Sequence, residues 1–331
     1  MKRINRNTVL MIFSCLATLL SWRVAFAQQH TLAFSSVDSL NANWYIAKER
    51  QLYKKYGLDV ELIFIPSSTT TISAVVAGSL PSAIFPAGRP RMLPSVARAW
   101  WPWAALSTLC PTTLSSMNPY DRRSSSRVRA SASAAWGSSS DVAARVFLKE
   151  LKLEPDKDVA ILQVGGSTER AAAFRTGRIV AFPAPPGVIH LPHGMPHRIL
   201  ASTADFPKGF PFPYVCPTAS KSFVKSNRDT MKRLLMALID ATHFFKTRKE
   251  ESKKIMAKYT RHNNEAFLES AYQSSNKLFE QMPLVNREGI DVQVKDAVSR
   301  KPGSVFKVDD VVDHTLVLEL DKEGFISRIY K

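Results

Sequence analysis

Residues 159–180, VAILQVGGSTERAAAFRTGRIV, constrain the fold most, because they combine a strand, a tight turn and a helix in one compact unit. The first six residues are largely apolar and predict a buried strand. The glycine pair 165–166 then allows the backbone to turn sharply and to approach a ligand closely. Ser167 or Thr168 is the expected helix N-cap, and Gly177 stands where a helix ends in the left-handed conformation. This order of elements indicates an α/β fold.

The same plan occurs earlier in the chain, at residues 60–78. An apolar run at 60–65 predicts a strand, Ser and Thr fill 67–71, and Gly78 closes a short helix. In both units, backbone N–H groups at a helix start face the end of the preceding strand, where α/β folds place ligands. The pair therefore predicts two similar lobes with a binding site. Two ordinary capped helices without a ligand are the alternative.

Residues 1–27 are predicted to be a secretory signal. A basic start precedes an apolar core at 8–20, and Ala-Phe-Ala at 25–27 forms a small-residue cleavage site. An uncleaved anchor is the alternative, but the apolar run is short for a membrane span, and no later segment is long enough. We therefore expect an exported, soluble protein, and 331 residues suit two lobes better than one.

The composition counts against several other classes of function. The formal net charge is +17, but much of it lies in the signal and in residues 82–136, so nucleic acid is not a predicted partner. Cys110 and Cys216 are expected to be unpaired thiols, with a single disulfide as the alternative. The histidines show no metal-ligand spacing, and we predict no metal site.

Residues 81–136 differ from everything around them. They contain seven Arg but no Lys, Glu or Gln, and they hold four of the six Trp. Neither a helical nor a strand period persists through them. A basic, Trp-bearing binding loop and an irregular but genuine α/β segment are two interpretations. The abrupt change of composition at both edges favours a third, in which this stretch is translated in a shifted reading frame.

The last third of the chain is predicted to be mainly helical, starting from a cap at Ser226 or Asn227. Its apolar residues recur at helical spacing, with Lys and Arg on the opposite faces. No G-x-S-x-G, P-loop or G-x-G-x-x-G motif occurs in the sequence. We therefore expect binding and not catalysis, with no catalytic residue, no cofactor and no enzyme activity.

Several segments together carry a resemblance to a known family. They are LDVEL at 58–62, AVVAGSL at 74–80, GSSSDVAARVFLKEL at 137–151, GGSTERAAAFRTGRIVAF at 165–182, SFVKSNRDTMKRLLMALIDA at 222–241 and DDVVDHTLVLELDKEGF at 309–325. With these segments the chain resembles the periplasmic substrate-binding proteins of ABC importers. Within that class it is similar to the nitrate, taurine and aliphatic sulfonate binders and the Thi5/NMT1-like proteins. The resemblance covers nearly the whole mature chain except 81–136.

The resemblance implies an α/β, two-lobed type II periplasmic binding protein fold with a hinge. Lobe 1 would comprise 28–115 and 217–331, lobe 2 would comprise 116–216, and hinge strands would lie near 115 and at 214–217. A small anionic ligand would bind between the lobes and draw them together. An ABC permease is the implied partner, and the protein is expected to be a periplasmic monomer that touches the membrane only through that permease.

Position by position, the resemblance also implies a set of ligand contacts at helix starts and hydroxyl-bearing loops, which suit an anionic head group. The implied residues are Asn43, Trp44, Ser67, Ser68, Thr69, Ser139, Ser140, Gly166, Ser167, Thr168 and Tyr214. Trp44 either lines the cleft or packs in the core. In the first-lobe loop Ser67 and Ser68 replace the Gly pair that is common in the family.

Three alternatives to the solute receptor stay open. A Thi5-like enzyme would make a pyrimidine from a cofactor and a protein histidine or lysine. The export signal and the lack of Lys or His beside the Gly-Gly or Ser-Thr loops count against it. An exported basic protein would bind nucleic acid through the Arg- and Trp-bearing stretch. A decayed, non-functional receptor would follow from a frameshifted 81–136. The sequence names neither the ligand nor the permease.

Overall fold

A computed structural model describes residues 29–85, 100–102, 113–117, 130–184, 197–202, 215–300 and 307–331. Two five-stranded sheets organise these residues. The first sheet has the order β2-β1-β3-β10-β4. Its strands are β1 (Gln29–Phe34), β2 (Asp59–Phe64), β3 (Ser82–Phe85), β4 (Trp100–Pro102) and β10 (Cys216–Ser220).

The second sheet repeats the plan of the first, with the order β7-β6-β8-β5-β9. Its strands are β5 (Thr113–Met117), β6 (Ala130–Ser133), β7 (Ala160–Gln163), β8 (Ala181–Ala184) and β9 (His197–Ser202). In each sheet three neighbouring strands run parallel: β1 with β2 and β3, and β6 with β7 and β8. The remaining strands pair antiparallel, β10 with β3 and β4, and β5 with β8 and β9. The predicted α/β class with two similar units is confirmed.

The chain passes from the first sheet to the second between β4 and β5, and it returns between β9 and β10. Residue 115, where one hinge strand was expected, lies inside β5 and therefore in the second sheet. Cys216 and Pro217 lie at the start of β10 in the first sheet. The first sheet thus takes its strands from before the first crossing and from after the second, and the second sheet takes its strands from between the two crossings.

Helices cover the sheets and form most of the chain after residue 220. They are α1 (Ala42–Glu49), α2 (Leu52–Lys55), α3 (Ser68–Val76), α4 (Ser139–Glu150), α5 (Ser167–Arg175), α6 (Lys221–Ser226), α7 (Arg228–Thr247), α8 (Lys249–Thr260), α9 (Glu265–Leu278), α10 (Arg287–Arg300), α11 (Thr315–Lys322) and α12 (Phe325–Ile329). The predicted helical character of the last third is confirmed. Among the described residues no helix is long and apolar enough to span a bilayer.

The main hydrophobic core lies between the first sheet and the helices α1 and α7. Trp44 and Tyr45 of α1 are completely buried there. Along α7, Leu234, Leu238 and Phe245 are also completely buried, which is the apolar face that the helical spacing predicts. Burial of side chains of this size contributes roughly 1.5–3 kcal/mol each to folding. This core holds the strands whose ends form the candidate site.

Parts of the unusual stretch 81–136 belong to the two sheets. β3, β4, β5 and β6 all fall within it, and the rest of the stretch, apart from 81 and 134–136, lies outside the described residues. β6 is an uncommon central strand, because its sequence is Ala-Ser-Ala-Ser and all four residues are buried. Among the described residues, the hydroxyls of Ser131 and Ser133 have no hydrogen-bond partner. Buried polar groups of this kind destabilise a fold.

Replacement of Ser131 by alanine is expected to stabilise the protein by about 1 kcal/mol, because it removes a buried hydroxyl that makes no hydrogen bond. The matched control is Ser39→Ala. Ser39 is equally buried, but its Oγ accepts a hydrogen bond from the Oγ of Ser275 at 2.9 Å. Its loss leaves Ser275 unsatisfied and lowers stability. Urea denaturation measures both changes, and a destabilising Ser131→Ala would contradict the prediction.

Candidate functional site

Three helices begin directly after the carboxyl ends of parallel strands. α3 follows β2, α4 follows β6 and α5 follows β7. The first turn of each helix leaves backbone N–H groups without partners inside the helix, and the helix dipole makes that end positive. Such positions bind anions in α/β proteins. The candidate site is therefore formed at these strand ends.

In the first sheet, Ser67 is the N-cap of α3 and its Oγ accepts a hydrogen bond from the N–H of Thr70 at 3.4 Å. Thr71 donates its hydroxyl to the carbonyl of Ser67 at 2.9 Å. Ser68 is buried, and its Oγ has no hydrogen-bond partner within the described ranges. Thr69 is half-buried beside it. The predicted contacts Ser67, Ser68 and Thr69 thus form one helix start.

In the second sheet, Ser138 is the N-cap of α4 and its Oγ accepts a hydrogen bond from the N–H of Asp141 at 3.3 Å. The Oγ of Ser140 accepts from the N–H of Ala134 at 2.8 Å and lies 3.0 Å from the Oγ of Ser138. Ser139 and Ser140 are both half-buried. These bonds tie the helix start to the end of β6, so the serine loop is fixed by its own backbone.

The loop before α5 departs from the sequence prediction at its cap. Gly166, with extended backbone, is the N-cap, and Ser167 is already the first residue of the helix. The expectation that Ser167 or Thr168 caps this helix is therefore wrong. The hydroxyl of Ser167 instead accepts a hydrogen bond from Nη2 of Arg170 at 3.1 Å. Gly165 has φ +109°, which a residue with a side chain rarely adopts.

Arg170 connects the two second-sheet loops, and the sequence analysis missed it. Its side chain is buried, with 4% of its surface exposed. Nη1 donates to the carbonyl of Gly165 at 2.8 Å and to the Oγ of Ser140 at 3.4 Å. Together with the bond to Ser167, these contacts hold both loops against one guanidinium. The signal in the sequence was an arginine on the buried face of α5, shared with Ala173 and Phe174.

A second arginine, Arg145, contacts an aspartate in the first turn of α4. Asp141 accepts hydrogen bonds from the N–H of Gly137 at 2.7 Å and from Nε of Arg145 at 3.1 Å. Arg145 also donates to Asp156 at 2.6 Å. Burial acts to lower the pKa of Arg145, but the hydrogen bonds to Asp156 and Asp141 outweigh it and raise the pKa above its ordinary value. Arg145 therefore stays charged and is ion-paired with both carboxylates.

A family model matches part of the chain. The model of the NMT1-like family matches residues 112–260, in agreement with the resemblance found in the sequence. That match begins inside the unusual stretch. A comparison of the sequence with curated proteins found no match.

Solved structures resemble this chain over 86–90% of its length. The periplasmic nitrate-binding protein NrtA from Synechocystis PCC 6803 superposes with a TM-score of 0.72 at 17% identity, covering 90% of this chain and 89% of NrtA. A protein from Bordetella bronchiseptica RB50 superposes with a TM-score of 0.76 at 18% identity, covering 89% of this chain and 97% of that protein. The alkanesulfonate-binding protein SsuA from Xanthomonas axonopodis pv. citri, bound to MOPS, superposes with a TM-score of 0.66 at 16% identity. The match covers 86% of this chain and 97% of SsuA. The chain has the periplasmic binding protein fold.

Within this periplasmic binding protein fold, Asn43 and Trp44 lie deeper than the other predicted contacts. Both are completely buried. Nδ2 of Asn43 donates to the Oγ1 of Thr242 at 3.5 Å, and Trp44 packs in the core of the first sheet. The Oδ1 of Asn43 and the Nε1 of Trp44 have no hydrogen-bond partner in the part of the chain that the structure describes. The last predicted contact, Tyr214, lies outside the described residues.

Thr168 is exposed on the first turn of α5, and Gly166 is half-buried beside it. The structure thus brings Ser139, Ser140, Gly166, Ser167 and Thr168 to one edge of the second sheet, with Ser67, Ser68 and Thr69 at the corresponding edge of the first. Across the described parts of the periplasmic binding protein fold, no cluster of His, Cys, Asp and Glu side chains could hold a metal ion.

Proposed function

We propose that the protein is an exported solute receptor, which binds a small anion between its two lobes and delivers it to an ABC importer. One observation carries the proposal: two helix N-termini, those of α4 and α5, start side by side, and the buried guanidinium of Arg170 joins their serine loops. N–H groups at helix starts, hydroxyls and a cation together favour a negatively charged head group.

The predicted signal at 1–27 supports delivery to the periplasm, and the similar structures NrtA and SsuA are binding proteins for nitrate and alkanesulfonate. The proposed contacts are Ser67, Ser68, Thr69, Ser139, Ser140, Gly166, Ser167 and Thr168, with Asn43, Trp44 and Tyr214 as further candidates from the resemblance. Ligand contacts from both sheets would close the lobes by a hinge motion at the two crossings.

Thermal denaturation of the mature chain, with nitrate, taurine or methanesulfonate, tests the proposal. A bound anion is expected to raise the melting temperature, because a ligand present at about a hundred times its Kd stabilises the folded state by about 2.7 kcal/mol. Dimethyl sulfone is the neutral control of nearly the same shape as methanesulfonate, and it is expected to leave the melting temperature unchanged.

Ser140→Ala is expected to weaken binding of the responding anion about tenfold, because it removes a hydroxyl shared by the α4 loop and Arg170. Ser73→Ala, on the exposed face of α3, is the matched control and is expected to bind normally. Isothermal titration calorimetry measures both. No shift with any anion, or an equal shift with dimethyl sulfone, would overturn the proposed function.

A further inference from the structure

Exposed aromatic rings accompany the hydroxyl-bearing loops of both sheets. Phe64, at the carboxyl end of β2, shows 47% of its surface, and Trp136, between β6 and α4, shows 50%. Among the large apolar side chains whose exposure the structure describes, these two are the only exposed aromatic ones. Phe64 precedes the N-cap Ser67 by three positions, and Trp136 precedes the N-cap Ser138 by two. Each ring therefore accompanies a helix start of the proposed site.

The ring of Phe64, in the first sheet, packs against a row of aromatic side chains that reaches the core. The ring of Phe64 lies 5.4 Å from that of Phe34, and the ring of Phe34 lies 5.8 Å from that of Tyr45, which is completely buried. Phe34 itself is buried and belongs to the main core. The row of rings leads from the core to the strand end, where about half of Phe64 remains uncovered. One side of the ring thus packs against the core and the rest is open to solvent.

The second-sheet ring stands on an ordered loop. The backbone N–H of Trp136 donates a hydrogen bond at 3.4 Å to the Oε1 of Gln163, which lies at the end of β7. Next to it, the N–H of Ala135 donates to the Oγ of Ser138 at 3.3 Å, and the N–H of Ser138 donates to the carbonyl of Ala135 at 3.0 Å. The loop that carries the indole is therefore the same loop that forms the N-cap of α4.

A small inorganic anion has no apolar surface to bury against an aromatic ring beside its site. A ligand that carries an aromatic ring gains both the burial of apolar area and ring contacts. We propose that the ligand is an aryl anion, an aromatic ring with a carboxylate or sulfonate group. Its head would lie at the α4 and α5 starts, and its ring would pack against Trp136 and Phe64. This inference rests on the proposed function of the same site.

Calorimetry with benzenesulfonate and methanesulfonate tests the inference, since the two probes share a head group and differ in the ring. Benzenesulfonate is expected to bind about tenfold more tightly, the factor that two ring contacts would supply. Cyclohexanesulfonate has a saturated ring of similar size, and it is expected to fall between them. Equal affinity of benzenesulfonate and methanesulfonate would overturn the inference.

Trp136→Ala and Phe64→Leu are expected to reduce the preference for benzenesulfonate to about twofold while methanesulfonate affinity stays the same. Leu318→Ala, an equally exposed apolar residue on α11, is the matched control and is expected to keep the full preference. Variants that weaken both probes equally would contradict the ring contact. The ring contact would also be contradicted if light scattering showed a wild-type dimer that Trp136→Ala loses, because the exposed rings would then pack against a second copy of the chain. Failure of every anion overturns the proposed function, whereas a missing aryl preference overturns only this inference.

Discussion

Replacement of Arg170 by methionine is expected to lower the affinity for the anions that bind the wild-type protein by between tenfold and about a hundredfold. The guanidinium donates to Gly165, Ser140 and Ser167, so its loss frees both serine loops at once. Hydrogen bonds from a charged group contribute roughly 1.5–3 kcal/mol, which corresponds to this range of affinity. Calorimetry with the best of the tested anions measures the effect.

Two further variants separate positioning from general stability. Arg170→Lys keeps the positive charge but lacks the fork that reaches two hydroxyls, so it is expected to restore only part of the affinity. Arg175→Met, at the exposed end of the same helix, is the matched control and is expected to bind as the wild type does. A lower melting temperature in Arg170→Met with unchanged affinity would refute the role in binding.

Acidification is expected to destabilise the protein through His30, by up to about 3 kcal/mol between pH 6.5 and pH 4. His30 lies near the start of β1, and 4% of its surface is exposed. Its Nε2 lies 2.7 Å from the Oγ of Ser82. Burial lowers the pKa of His30 from 6.5 to about 4. The unfolded chain therefore takes up a proton at a pH at which the folded chain does not, and stability falls as pH drops through this window.

The measurement compares urea denaturation of the wild type and His30→Gln at pH 7.5 and pH 4.5. The glutamine variant cannot titrate, so the loss of stability on acidification is expected to be smaller by about 2–3 kcal/mol. The acidic residues of the protein also titrate in this range, and the difference between the two proteins removes their common contribution. Parallel curves for the two proteins would show that His30 does not carry the effect.

Much of the fold could be predicted from residue patterns. The unit at 159–180 gave its strand, its helix and the helix end at Gly177, because apolar periodicity and a glycine with φ +70° act locally. The break between α1 and α2 could not be predicted, because Gln51 has φ +54° without being a glycine or an asparagine. Gln51 is exposed, and its backbone bonds run to Lys48 and Lys55, close by in the chain.

The candidate site was predictable only in part. Hydroxyls and glycines at helix starts are visible as short motifs, and the structure brings those of the second sheet to one edge. Arg170 was not visible, because its role depends on Ser140, which lies thirty positions earlier and meets it only after β6 and β7 have paired. The sequence also left open whether Trp44 lines the cleft or packs in the core. Its complete burial follows from the packing of α1 on α7.

The reading-frame hypothesis for 81–136 stays a prediction. β3 and β6 lie near the two edges of that stretch and pair with neighbours on both sides. The unpartnered hydroxyls of Ser131 and Ser133 are what a strand would contain if its codons had not been selected for burial. Sequencing the gene across codons 80–137 and translating all three frames decides it: an alternative frame with an apolar strand pattern supports the hypothesis, and stop codons refute it.

The crossing of the chain between the sheets also has a kinetic consequence. Phe85 of β3 pairs with Cys216 of β10, so an internal pair of strands in the first sheet forms only after every residue of the second sheet has been synthesised. Closing so long a loop costs entropy before the contact repays it, and topologies of high contact order fold slowly. The second sheet, whose strands all lie between Thr113 and Ser202, can assemble first and bring β10 to its place.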